Sequence, residues 1–411
     1  MLSSFRVLDL TNERGLLCGK TLADLGSDVI LVEPPGGSPA RRLQPFYQDQ
    51  PDPERSLYWF SYCASKRSVT LNLETSDGRD LFKRLVQTAD VVLDSQDNGY
   101  LAGLGLGYPE LCRIMPDLVM TSITPYGLDG PYSGFAANDL CLWSMSGFAY
   151  LTGDSDRPPV QISFPQAYLN ASLEGAVGTM IALYHREMTG QGQQVDVSIQ
   201  ASTTRNTMNA PLFWETSGVN LGRSGPFRVG LSVSSGQRVL WKCKDGEVSF
   251  FMWGGKSGYR INQALVAYMD EEGMAPQFMK DLDWENFDMS RASNELFQKF
   301  NEYIGRFFLS HTKEELFQQA RQRGITLYPV QTVREVVEDT QLQVRDFWEP
   351  VDYPELGQEI LYPHYPCLFS NYEPPPIRRA PLIGEHNQEI WREEMGLSPE
   401  QLAAYQQSGV I

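Results

Sequence analysis

The chain reads as an α/β protein: a doubly wound parallel-sheet large domain with a smaller α+β domain. Three observations predict this. Strand-like runs alternate with helical stretches of ten to fifteen residues over the first 125 positions. The length of 411 residues exceeds one ordinary core. A change of texture, poor in periodicity and rich in Gly, Ser and Arg, interrupts the chain at 218–239.

In order, "FRVLDL" is a strand and "GLLCGKTLADLG" a helix closed by Gly26. "SDVILVE" and "SVTLNL" are the next strands, followed by a helix from about Asp77 to Thr88 and the strand "ADVVLD". A helix around Tyr108 to Met115 leads into the strand "LVMTSI". Such βαβ units are right-handed and build a parallel sheet covered on both faces, with ligands at the carboxyl ends of its strands. The first strand is not followed by GxGxxG, which argues against a dinucleotide.

Between Ala167 and Met188 runs a long helix rich in small residues: Ala171, Ser172, Gly175, Ala176 and Gly178. Small side chains let another backbone approach closely. "MTGQGQQVDVS" closes it with a turn and a strand. "VLWKCKDGEVSFFMW" reads as a hairpin about Asp245–Gly246, helical text runs to about Arg323, and a Pro-rich tail completes the chain. The domains are therefore expected at 1–217 (large domain, first part), 218–239 (linker), 240–325 (small domain) and 326–411 (return segment completing the large domain).

Hydrophobic residues make up 42% and charged residues 21% of the chain, an ordinary globular composition. No apolar run reaches the roughly 20 residues of a membrane span. "MLSSFRVLDLT" lacks the basic and apolar regions of a signal peptide. The six cysteines (Cys18, Cys63, Cys112, Cys141, Cys243 and Cys367) form no CxxC pair and read as reduced thiols of a cytoplasmic protein, with no metal site. A net charge of −17 argues against nucleic acid and anionic membranes as partners. A phosphorylated ligand needs only a local basic patch and stays open.

"LADLGSDVILVEPPGGSPAR", "KRSVTLNLETSDGRDLFKRLVQTADVV", "ITPYGLDGPYSG", "HREMTGQGQQVDVS" and "APLIGEHNQEIW" together resemble class III CoA transferases, the CaiB/BaiF or formyl-CoA transferase-like family, over nearly the whole chain. The resemblance implies an α/β large domain, a small domain, and two chains threaded as interlocked rings, with the small residues of the long helix admitting the second chain. It also implies no covalently bound cofactor, with CoA and acyl-CoA as substrates. In the family's mechanism a carboxylate attacks the acyl-CoA thioester. The mixed anhydride is converted by the CoA thiolate to an enzyme-bound thioester, and an acceptor acid reverses the steps.

This chain departs from the family where that chemistry belongs. Tyr168 falls on the nucleophilic Asp position, and a phenol cannot become a mixed anhydride or a thioester carrier. Glu174 is the weak alternative, six residues along the helix and turned away. Asp154 and Asp156 lie in a polar turn, and Asp139 matches an Asp of structural character. Asp97 and Gly103 fall where the family has Arg facing CoA, and "RGL" at Arg14–Leu16 replaces "AGP". Arg41, Lys66 and Arg67 remain as possible CoA phosphate contacts, or as solvated surface charges. Asn138 occupies the position of a racemase His. His185 and Arg186 read as partners of the helix dipole. "MWGGKSG", 252–258, fits either a mobile glycine loop or an ordinary turn.

Three readings follow: an active transferase with a relocated carboxylate, an acyl-CoA racemase, or a non-catalytic structural subunit of a hetero-oligomer. The third is preferred. It would pair this chain with a related class III subunit carrying the Asp, as in benzylsuccinate CoA transferase with its two unequal subunits.

Overall fold

The computed structural model describes residues 1–227, 236–255, 258–288 and 291–411. Six parallel strands form the central sheet: β1 (Arg6–Leu10), β2 (Asp28–Glu33), β3 (Arg67–Thr70), β4 (Val91–Asp94), β5 (Val119–Thr124) and β6 (Gln193–Ser198). Their order is β3-β2-β1-β4-β5-β6. The order reverses between β1 and β4, the switch point where a doubly wound sheet opens a ligand crevice. Strand interiors such as Val7, Val29, Val91 and Val119 are buried, as a sheet covered on both faces requires.

Two compact units divide the chain. The first comprises 1–147, 162–207 and 340–411, and the second 148–161 and 208–339. The second unit is thus larger than the 240–325 read from the sequence. It takes in the Phe148–Gln161 segment and the helix Asn209–Ser217, and the return to the first unit comes at Thr340 rather than 326. Part of the expected linker, 228–235, lies outside the described residues.

Both chain ends build the first unit. Asn72 donates its N–H to the Val410 carbonyl (2.7 Å), and Thr70 donates to Asn387 Oδ1 (2.9 Å). Trp391, Ile390, Leu402 and Ile411 complete the core beneath β3. An antiparallel hairpin, β10 (Trp348–Tyr353) with β11 (Gln358–Pro363), also belongs to this unit and was not legible in the sequence. In the second unit, β7 (Leu240–Lys242) and β8 (Glu247–Phe250) form the hairpin about Asp245–Gly246, joined by β9 (Leu327–Pro329).

The long helix spans Gln166–Thr189. Its glycines face the chain's own sheet. A Cβ on Gly175 would stand 2.9 Å from Ile123 Cδ1, and one on Gly178 2.8 Å from Val195 Cγ1. These small residues let the helix settle closely on β5 and β6, the close backbone approach that their pattern predicts. The opposite face carries exposed Leu173, Val177, Ile181, Tyr184 and Met188.

Candidate active site

Tyr168 lies in the first turn of the long helix and is 6% exposed. That helix has no side-chain cap of its own at Pro165. Asp139 supplies one from a neighbouring helix, its Oδ1 accepting the Tyr168 N–H at 3.1 Å. A carboxylate at a helix N-terminus satisfies an otherwise orphaned donor. Asp139 thus acts as a cap for the long helix. Asn138 caps its own helix, Asp139–Met145, by accepting from Cys141 N–H.

The phenol of Tyr168 lines a cavity of about 430 Å³ with Glu13, Leu57, Tyr58, Tyr62 and Phe164. Burial pushes the phenol above its ordinary value, while Arg14 beside it pulls the other way. The hydroxyl therefore stays protonated at neutral pH. Arg14 reaches further: its guanidinium donates to Asp97 Oδ1 at 2.8 Å. Arg14, Asp97 and Tyr168, three positions that the sequence singled out separately, thus converge on one point. The Arg14 guanidinium in the loop after β1 is balanced by the Asp97 carboxylate after β4, and their sequence separation of 83 hid the pairing.

Glu174 does not share this cavity. It pairs with Arg205 at 3.2 Å on the exposed side of the helix. Asp154 pairs with Arg157 at 3.8 Å within the second unit, Asp156 is exposed, and Gly103 is exposed at the end of the short helix Tyr100–Gly103. Arg186 forms an ion pair with Asp90 at 3.0 Å, which pins the helix end to the start of β4. His185 is exposed. Residues 256–257 of "MWGGKSG" lie outside the described residues.

The three basic residues proposed for CoA phosphates are spent internally. Arg41 is fully buried. It makes a bidentate pair with Glu33 (2.7 and 2.8 Å), donates to Glu54, and stacks on Trp59 at 3.9 Å. Lys66 Nζ pairs with Asp9 and donates to the Leu16 carbonyl, both at 2.8 Å. A Cβ on Gly19 would stand 2.1 Å from Asp9 Oδ2, so only glycine leaves room for this pair. Arg67 is divided among Asp28, Glu389 and Glu394. The reading of these residues as phosphate contacts is corrected. Buried cations surrounded by carboxylates are structural, and they have few donors left for a ligand.

A second cavity, about 360 Å³, occupies the crevice at the carboxyl ends of β1 to β4. Asp9, Glu13, Glu33 and Glu74 line it, and among the described lining residues none is Lys or Arg. Glu13 lines both cavities. The sequence reading missed Glu13, although an "ER" pair in the loop after the first strand of such a sheet is a position where ligand contacts arise.

At the end of β4, buried Asp94 has its carboxyl pushed up to about 6 by burial, against the pull of Gln96 N–H and Arg14. A raised carboxyl favours the folded chain when protonated. That contribution is present below the unfolded value and is lost as pH rises through about 6. The two-unit rise corresponds to about 2–3 kcal/mol. Asp94→Asn is expected to raise stability by about that amount near pH 8 and to change little near pH 4, read from denaturant unfolding at both. An equal gain at both values contradicts the assignment.

Among the described residues, no group of three or more His, Cys, Asp and Glu could hold a metal, and no helix is long and apolar enough to cross a membrane. All six cysteines are free, and burial pushes the Cys18 and Cys63 thiols up.

The chain belongs to CoA-transferase family III, whose family model matches residues 2–387. Among its relatives, subunit BbsE of succinyl-CoA:(R)-benzylsuccinate CoA-transferase from Thauera aromatica is 36% identical, covering 94% of this chain and 93% of that one. Succinyl-CoA–D-citramalate CoA-transferase of Chloroflexus aurantiacus is 30% identical over 100% and 98% of the two chains. A solved CaiB/BaiF family protein from Brucella suis superposes with a TM-score of 0.81 at 26% identity, covering 95% of this chain and 98% of its own.

Proposed function

We propose that this chain is the non-catalytic subunit of a heteromeric class III CoA transferase that moves CoA between carboxylic acids. A related subunit would supply the nucleophilic Asp. The carrying observation is the cavity at the start of the long helix, where the position assigned to the nucleophile holds a buried, protonated phenol. A phenol has no acyl-anhydride chemistry, and Glu174 is paired elsewhere. The crevice at the strand ends adds a second reason. Among its described lining residues it offers a polyphosphate no Lys or Arg, and the cations nearby are already paired with Glu33 and Asp9.

The relative from Thauera aromatica is itself described as a subunit, which supports a hetero-oligomer. Two of the relatives act on succinyl-CoA by name, so a dicarboxylic acyl donor is the favoured substrate of the complex. Interlocking of the two chains as rings is part of the proposal. In such an assembly a subunit without chemistry still shapes its partner's site.

Purified alone, the chain is expected to transfer no CoA. It is also expected to bind CoA at least about tenfold more weakly, a loss of about 1.4 kcal/mol, than a class III chain carrying the Asp. Titration calorimetry and a transfer assay test both. Micromolar or tighter CoA binding, or CoA transfer by the isolated chain, counts against the reading.

A further inference from the structure

We propose that the Tyr168 cavity is a binding site for a small aromatic ligand bearing a protonated amine, with Glu13 as the residue that selects its charge. The walls are aromatic: Tyr58, Tyr62, Phe164 and Tyr168, with Leu57 beside them. The Tyr58 and Tyr62 rings lie 4.7 Å apart, tilted by 58°. About 430 Å³ is ample for one benzene ring with a short side chain.

Into these walls the chain sets one acidic residue. Glu13 is half-buried, and its carboxylate makes no hydrogen bond or ion pair among the described residues. Its charge is felt at both Tyr58 and Tyr168, whose phenols it helps to hold protonated. No Lys or Arg is among the described lining residues. Arg14, whose guanidinium lies beside the Tyr168 phenol, is paired with Asp97. An unpaired carboxylate among aromatic faces attracts an ammonium twice over, by charge and through the ring quadrupoles. The same arrangement repels a carboxylate or a phosphate. The inference goes beyond the partner-subunit reading: it concerns noncovalent occupancy of this chain's own cavity, so either result leaves open where acyl label forms in a complex.

Three probes with one ring and different charge test it on the full-length chain: benzylammonium, benzyl alcohol and phenylacetate, followed by ligand-observed NMR titration at neutral pH. Benzylammonium is expected to bind about tenfold more tightly than benzyl alcohol, the size that one ion pair with a cation–π contact carries. Phenylacetate is expected to bind most weakly. Glu13→Gln, checked for folding by circular dichroism, is expected to bring amine and alcohol within about threefold. Tyr62→Leu keeps the wall apolar and is expected to weaken the amine more than the alcohol. Phenylacetate matching the amine, an ammonium preference that survives Glu13→Gln, or no saturable binding of any probe overturns the proposal.

Discussion

In the proposed hetero-oligomer, Tyr168→Phe is expected to retain most of the CoA-transfer activity, whereas replacing the nucleophilic Asp of the proposed partner is expected to abolish it. The asymmetry follows from the chemistry. Phenylalanine keeps the ring that fills the helix start and deletes only a hydroxyl that has no acyl-transfer role. Loss of a true covalent nucleophile costs about 10⁴-fold or more. Incubating the complex with acyl-CoA and then hydroxylamine or borohydride, followed by peptide mass spectrometry, locates the trapped carboxylate. Labelling confined to the partner supports the proposed role. A label on any carboxylate of this chain sinks it. Glu13, the acidic residue lining the Tyr168 cavity, and Glu174 are the positions to inspect first.

The second large effect is on stability. Arg41→Ala is expected to lower unfolding free energy by about 3–5 kcal/mol, because it strands Glu33 as a buried carboxylate without its bidentate partner. The stacking on Trp59 is lost with it. Lys66→Ala is expected to act in the same range by stranding Asp9, since both side chains of that pair are fully buried. Denaturant unfolding and CoA titration of each variant separate this role from ligand binding. A variant that unfolds like the parent but loses CoA affinity would return these residues to the ligand site.

Much of the architecture was legible in the residues. Strands β1, β2, β4 and β5 each announce themselves as a short apolar run between helical stretches, because a strand buried on both faces leaves little choice of side chain. The long helix was equally plain. Its partner was not: small residues signal a close approach, but only the fold shows that Gly175 and Gly178 meet β5 and β6. The hairpin Trp348–Tyr353/Gln358–Pro363 escaped because its run contains Pro and charged residues, and tertiary packing of Val351, Tyr353 and Tyr362 decides it.

The sequence by itself determined the chemistry that residue 168 lacks, since a phenol is no acyl carrier in any surroundings. It also determined the family and the parallel sheet, which rest on local pattern and motif order. Only the tertiary structure decided what the charged residues do. Arg41, Lys66 and Arg67 read as phosphate contacts or solvated charges, yet each is claimed by a different set of carboxylates, some more than 300 residues away. Charge is a property of a residue, but its availability depends on burial and on the nearest opposite charge, and both are set by chain segments distant in sequence. The same holds for Arg14, Asp97 and Tyr168. Each is a separate oddity in the sequence, and folding brings them together as a guanidinium between a carboxylate and a phenol.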